Sequence, residues 1–291
     1  MINYDAHSWI DHLFDIRGSL LREISSRIAL CTIWAGMLVV FNSHVYPIGI
    51  QPVAHNLVGV ALGLLLVFRT NSSYDRFWEG RKLWGGIVNE TRNLMRASEA
   101  FLGKSPEARR EIALWAIAFS YASMNILRGS KGLGPVAKEL DPLMIDEALK
   151  SQHPALTAAK NISKILERVK NQGFISEYVQ VAIDQNVQLL VDYLGGCERI
   201  HKTPLPFAYV VHLRRALIFY FFTLPFALVD TMGWLTVAAT FLVAFVFMGI
   251  EEIGVEIEDP FGSDENDLPL ETICTTIETN LKGMLTGERS L

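Results

Sequence analysis

The chain has 291 residues, half of them hydrophobic, with a net charge of −5 and a mean hydropathy of +0.25. The acidic balance, with no run of Lys/Arg, gives no electrostatic case for nucleic acid. Cys31, Cys197 and Cys274 lie far apart with no C-x-x-C, so they read as free thiols packed as small hydrophobes, not as a disulfide frame.

The opening "MINYDAHSW" lacks the basic start and short apolar core of a cleaved leader, so secretion is not expected. Four apolar segments then matter, because crossing a hydrocarbon core takes about 20 predominantly apolar residues as helix. Ile28–Tyr46 carries no charged residue and stops at Pro47. Ile48–Phe68 is free of acids and of Lys/Arg and ends at Arg69. Ala216–Val229 is short for a span, although "PLPFAYVVHL" lengthens it on the far side of Arg214 and Arg215. Met232–Ile250 runs uncharged to Glu251. Runs near this length fit membrane spans better than buried helices of a soluble bundle.

Lys/Arg placement sets the expected orientation. The linker "NSHVYPIGIQ" and the linker "DTMG" contain neither residue. The opposite flanks hold Arg17, Arg22 and Arg27, then Arg69, Arg76, Arg81 and Lys82, then Arg199, Lys202, Arg214 and Arg215. Both linkers are therefore expected outside and both termini in the cytoplasm, as in a multi-pass membrane protein.

The segment from Thr70 to Thr203 reads as helical, with apolar positions recurring at three and four. Ser72–Phe101 has no Pro and is expected to continue the second span as one long helix. Ser105 is placed to cap the next helix, with Pro106 at its first position and Glu107 beside its positive end. Leu156–Asn171 and Ile175–Leu194 read as two more helices separated by Gly173, and strand signals are scarce. The expected organisation is all-α: 1–69 for the N-terminal segment and two spans, 70–203 for a helical cytoplasmic region, 204–253 for two further spans, and 254–291 for an acidic hinge and tail.

No catalytic constellation stands out, and an enzyme is not expected. G-x-S-x-G, H-E-x-x-H and the P-loop are all missing. "GLGPVA" at Gly132–Ala137 follows a polar turn instead of a strand and reads as a loop. The histidines do not pair at helical spacing. His55, alone within the second span, either packs against a neighbour or lines a cavity. The acidic stretch "GVEIEDPFGSDENDL" at Gly254–Leu268, directly after the last span, admits three readings: a solvated tail, a divalent-cation site, or a hinge.

Four segments carry a family resemblance: "IRGSLLREISSRIAL" at Ile16–Leu30 with Arg17-Gly18-Ser19, "LLLVFRTNSSYDRFWEGRKLWG" with Arg69, Tyr74 and Arg76, "GGCERIHKTPLPFAY" at Gly195–Tyr209, and "IEDPFGSDENDLPLETICTTIETNL" at Ile257–Leu281. In order along nearly the whole chain, they resemble the bestrophin family of ion channels, in its bacterial branch. The resemblance implies a homopentamer around a central axis, with four membrane helices per subunit and a large helical cytoplasmic part. It implies passive conduction of small ions, chloride by family, and partners limited to membrane lipid, small inorganic ions and further copies of the chain. It also implies a neck built from the second helix, whose matching positions are Val53, Leu57 and Ala61; four residues apart, they stack on one face. Rings of such side chains form a constriction that conducts only when wide enough to stay wet.

In animal bestrophins the segment matching the acidic stretch binds Ca²⁺. The side-chain positions here are Asp264 and Asp267, and Glu256 and Asp259 match the carbonyl donors. The aspartate run is broken here into "SDEND", and the bidentate glutamate that closes an EF-hand loop is missing. The hinge reading is therefore preferred over a Ca²⁺ cofactor: Pro260 and Gly262 break the helix, and the carboxylates are free to take N–H groups and Arg side chains of a neighbouring subunit. Two other functions compete. A secondary transporter would show an internal repeat or charges inside the spans, and a non-conducting scaffold or sensor would use the same stripe for packing alone. An apolar neck carries no charge selectivity, so in this net acidic chain a cation preference stays open.

Overall fold

The computed structural model describes residues 20–286, so the Arg17-Gly18-Ser19 motif lies outside the described residues. Among the described residues every regular element is helical and none is a strand. The α-helices are α1 (Leu21–His44), α2 (Val53–Phe101), α3 (Pro106–Leu127), α4 (Pro142–Lys150), α5 (Pro154–Asn171), α6 (Glu177–Lys202), α7 (Phe207–Met232), α8 (Leu235–Glu256) and α9 (Leu270–Thr286), with a 3-10 turn at Pro135–Glu139.

Four helices, α1, α2, α7 and α8, are long and apolar enough to cross a membrane. Their bounds differ from the sequence expectation for local reasons. The second apolar segment becomes helical only at Val53, because Pro47 and Pro52 hold the stretch between them out of helix. The two pieces flanking Arg214 and Arg215 join into the single helix α7, which begins just after Pro206. Pro225 lies inside it and withholds an N–H from the ladder; nearby, Trp34 Nε1 donates to the Phe222 carbonyl at 3.0 Å and Ile50 N–H to the Phe226 carbonyl at 3.0 Å. α8 runs past Ile250, which makes Glu251 and Glu252 helical residues.

The chain divides into two compact units, and α2 contributes to both. One unit takes the described residues up to Phe77, with Pro204–Asp259 and Asp264–Asn266. In it, α1 packs along α8 and α7. Ile24 and Ile28 of α1, Leu62 and Leu66 of α2, Leu213, Leu217, Tyr220, Phe221 and Leu224 of α7 and Ala244 of α8 bury one cluster. Trp34 stacks on Phe222 at 4.9 Å beside a smaller cluster of Leu38, Val39 and Val229. In each of the four long helices only 22–39 % of the apolar window is buried, so most of that surface needs lipid or another protein chain to cover it.

The other unit takes Trp78–Thr203, Pro260–Ser263 and the described residues from Asp267 onward. α3 is its centre: nearly every residue from Ile112 to Met124 is buried, the pattern of a helix covered on all sides. α5 and α9 pack against α3, and α6 packs against α5. Ser105 occupies the cap position of α3, but its side chain makes no capping bond. α4 and α9 go beyond the sequence expectation. α4 starts with an Asp141 cap, which accepts from Leu143 N–H at 2.8 Å, and Pro142 at its first position.

Candidate functional site

Arg69 ends the second apolar segment, yet it is only 1 % exposed. A guanidinium withdrawn from water needs a carboxylate with good geometry. Glu251 of α8 supplies it, accepting from Arg69 Nη1 at 2.5 Å through Oε1. The same oxygen accepts from Arg214 Nε of α7 at 3.0 Å. Arg27 of α1 lies 3.8 Å from the other Glu251 oxygen and donates to Glu252 at 2.8 Å. Arg69 Nη2 lies 3.9 Å from Glu258. One turn further along α2, Ser73 Oγ donates to the Gly254 carbonyl at 2.7 Å, and Arg76 Nε donates to the Glu258 carbonyl at 2.9 Å. Arg69, Ser73 and Arg76 fall at i, i+4 and i+7, so one face of α2 carries all three bonds. Through them one clasp joins all four long helices.

The acidic stretch begins inside this clasp. The Glu258 carboxylate accepts from the Leu205 N–H at 3.0 Å, and the Glu256 carboxylate from Asn266 Nδ2 at 2.9 Å. Asp264 and Asp267 fall in different units: Asp264 is exposed, whereas Asp267 is 3 % exposed. In the second unit, Phe261 is fully buried and Arg128 Nε donates to its carbonyl at 3.2 Å, while the Arg128 guanidinium pairs with Glu271. That pairing holds the Glu271 carboxyl below its ordinary range. Gly80 leaves room for the Phe261 ring, since a side-chain carbon there would stand 3.0 Å from both Phe261 and Pro260. Among the described residues, no group of three or more His, Cys, Asp or Glu is placed to hold a metal ion.

Buried and exposed residues of α2 take opposite sides, and the most exposed of its large apolar side chains, Val60 at 74 %, lies about 20° from Val53. At about 100° per residue, the buried His55, Leu62, Leu66, Arg69 and Ser73 share an arc of about 60°. Val53, Leu57, Ala61, Leu64 and Phe68 share an arc of about 80° on nearly the opposite side. Val53, Leu57, Leu64 and Phe68 are 55–69 % exposed, and Ala61 is exposed as well. His55 belongs to the packed face, stacked on Tyr220 at 4.2 Å with Thr223 Oγ1 3.5 Å from its Nδ1. Gly59 makes that approach feasible, because a side-chain carbon there would lie 2.7 Å from the Tyr220 hydroxyl.

Counting by fours finds the stripe and then leaves it. Each step of four turns about 40° past a full rotation, so the position after Ala61 is Leu65, which is half-buried against the packed cluster. The exposed face continues instead through Leu64 and Phe68, at spacings of three and four. A count that alternates three and four, ending beside Arg69, would have reached them.

A helical protein with four apolar helices, a buried ionic clasp at the end of the second and an uncovered apolar stripe beside it has the architecture of a membrane protein built around α2. The family model for "Bacterial/Fungal Bestrophin protein" matches residues 1–283, and the chain belongs to that family. A Nostoc protein named "Voltage-dependent anion channel-forming protein" is 40% identical over 282 residues, spanning 94% of this chain and 90% of its own. The Escherichia coli (strain K12) protein of the same description, YneE, is 32% identical, spanning 98% of this chain and 94% of its own. The crystal structure of a bacterial Bestrophin homolog from Klebsiella pneumoniae superposes with a TM-score of 0.86 at 30% identity, covering 92% of this chain and all of that one.

The clasp has unequal members, which gives a test. Replacing Glu251 by Gln strands Arg69 in the interior with only Glu258 nearby, a loss expected to cost about 3–5 kcal/mol. Arg69→Gln should cost less, because Glu251 keeps Arg214 and Arg27. Unfolding of the purified variants in micelles measures both, and the reverse order would contradict the assignment.

Proposed function

We propose that the chain assembles as a homopentamer and conducts small ions passively, with the exposed stripe of α2 from each subunit turned to the central axis. The observation that carries this reading is that stripe: an apolar face, opposite the clasp, that stays exposed among the described residues. Five copies around an axis would close it into stacked rings at Val53, Leu57 and Ala61, and then at Leu64 and Phe68. Ala61 is the smallest member and Phe68 the bulkiest, so the tightest ring belongs at Phe68. Such a neck passes ions only while it stays wet. The names of the relatives make anions the first expectation for the permeant ion. One observation favours cations: Asp75 continues the stripe past Phe68, exposed and without an ion-pair partner among the described residues. No chemistry beyond permeation is assigned to the chain.

The Lys/Arg flanks support an inner-membrane orientation with both termini cytoplasmic. In that orientation a cysteine placed at Ser43 reacts with an impermeant maleimide from outside, and one at Ser130 reacts only after lysis; the opposite pattern would reverse the orientation. For the acidic stretch the hinge is the better-supported reading. Arg76 and Arg128 occupy main-chain carbonyls of the segment, and Asn266 and the Leu205 N–H occupy two of its carboxylates. These bonds hold the segment in place from four sides without calling on a metal ion.

Ion flux into sealed liposomes tests the whole reading. Reconstituted protein should leak ions passively, and Phe68→Ala should raise the flux several-fold and more than Leu57→Ala. Gradient-coupled uptake would point to a transporter, and silence of assembled protein to a scaffold. Chelating calcium should leave the flux unaltered; closure on chelation, abolished in Asp264→Asn, would overturn the hinge. A reversal potential across a salt gradient gives the sign of the ion.

A further inference from the structure

A second feature lies away from the stripe, wholly within the unit built on α3. A cleft of about 410 Å³ opens between the start of α3, the 3-10 turn Pro135–Glu139 and the last turns of α9. Its charged lining is Arg109 and Arg110 of α3, Glu139 of the turn and Lys282 of α9. Glu139 is already engaged twice, by Arg110 Nη2 at 3.2 Å and by Lys282 Nζ at 2.8 Å. The Lys282 bond is the main reason its carboxyl sits below the ordinary range. Lys282 reaches a second carboxylate, Glu278, at 2.9 Å.

Arg109 is left over. Its side chain makes no hydrogen bond or ion pair among the described residues, and its Nε is shut away from solvent with no acceptor. A desolvated donor without a partner is costly, and one on a charged group calls for an explanation. Among the described residues, of the three cations and one carboxylate lining the cleft, with Glu278 behind Lys282, the charge of Arg109 is the one left unmatched. An anion would supply its partner. Elsewhere in this unit one guanidinium serves one carboxylate, as Arg168 does for Glu111 with two bonds of 2.8 Å, whereas the cleft's own carboxylate, Glu139, takes two cations. Arg109 is the cation left open to such an anion, with Arg110 and Lys282 beside it already bonded to Glu139, and a guanidinium fork matches the oxygens of a phosphoryl group. The volume also lies in the range of small-ligand sites, which run to several hundred Å³.

We propose that this cleft binds a phosphoryl group, carried by free phosphate or by a small phosphorylated metabolite, with Arg109 as its principal ligand. Bound there, the anion would tie α9 to α3 in the second unit. The proposal does not depend on the ion-conduction reading.

Thermal melting of the purified full-length protein, at constant ionic strength in phosphate-free buffer, tests it. Inorganic phosphate and glycerol phosphate are titrated separately, with acetate as the planar control. The expected result is saturable stabilisation by one or both phosphoryl compounds. The concentration for half effect should rise at least tenfold in Arg109→Gln and should not change in Arg168→Gln. A response to phosphate alone assigns the site to the free ion, and a stronger response to the ester assigns it to a metabolite. Arg109→Lys keeps the charge but loses the fork, and should fall between wild type and Arg109→Gln; it gives an independent reading if the glutamine variant melts early without ligand. No saturable shift, an Arg109→Gln titration matching wild type, or equal stabilisation by acetate would overturn the proposal.

Discussion

The fold around α2 depends on one constraint: a guanidinium at the end of an apolar segment has been taken out of water. Arg69 cannot stay charged and buried without a carboxylate at hydrogen-bond distance, and Glu251 is held at 2.5 Å to provide it. Meeting that demand brings the end of α8 against α2 and gathers Arg214 of α7 and Arg27 of α1 to the same carboxylate. The net stabilisation from such a group is modest, because desolvation offsets most of the attraction. Its larger effect is geometric. With three arginines and three carboxylates in one knot, a register slip by any of the four helices would strand a charge.

The consequence reaches the opposite side of α2. Because Arg69, Ser73, Leu66 and Leu62 fix which face packs inward, the face bearing Leu57, Leu64 and Phe68 is turned away from the rest of its own unit. An apolar face left uncovered on a long helix needs an occupant, whether lipid or copies of the chain. Membership of the bestrophin family makes copies around an axis the natural occupant. The clasp would then orient the stripe as well as stabilise the subunit, and the acidic stretch, which starts at the same knot, would be part of the same support.

Much of this was legible in the amino-acid order. Apolar runs of nearly span length, ended by Pro47, Arg69 and Glu251, announce the four long helices, and the Pro-free stretch after Ser72 announces the length of α2. The clasp was not legible, because Arg69 and Glu251 lie 182 positions apart and nothing local says that either is buried. The full stripe was missed for a geometric reason: steps of four drift off an α-helical face, and Leu64 and Phe68 need a step of three. α9 has its own signal, with Leu270, Cys274, Ile277 and Leu281 buried at helical spacing. The acidic residues just before it draw attention away from that period. The burial that sets it also pushes the Cys274 thiol up to about 12, in keeping with a packed and unreactive cysteine.

The central claim is that the face of α2 opposite the clasp meets the permeating ions. Single cysteines along α2, introduced into a Cys31→Ala background and modified with a charged thiol reagent during current recording, address it directly. Modification should change the current at Leu57, Ala61, Leu64 and Phe68, and leave it unchanged at Leu62 and Leu66, which pack inward. Sensitivity at Leu62 and Leu66, or at none of the six positions in assembled protein, would contradict the account.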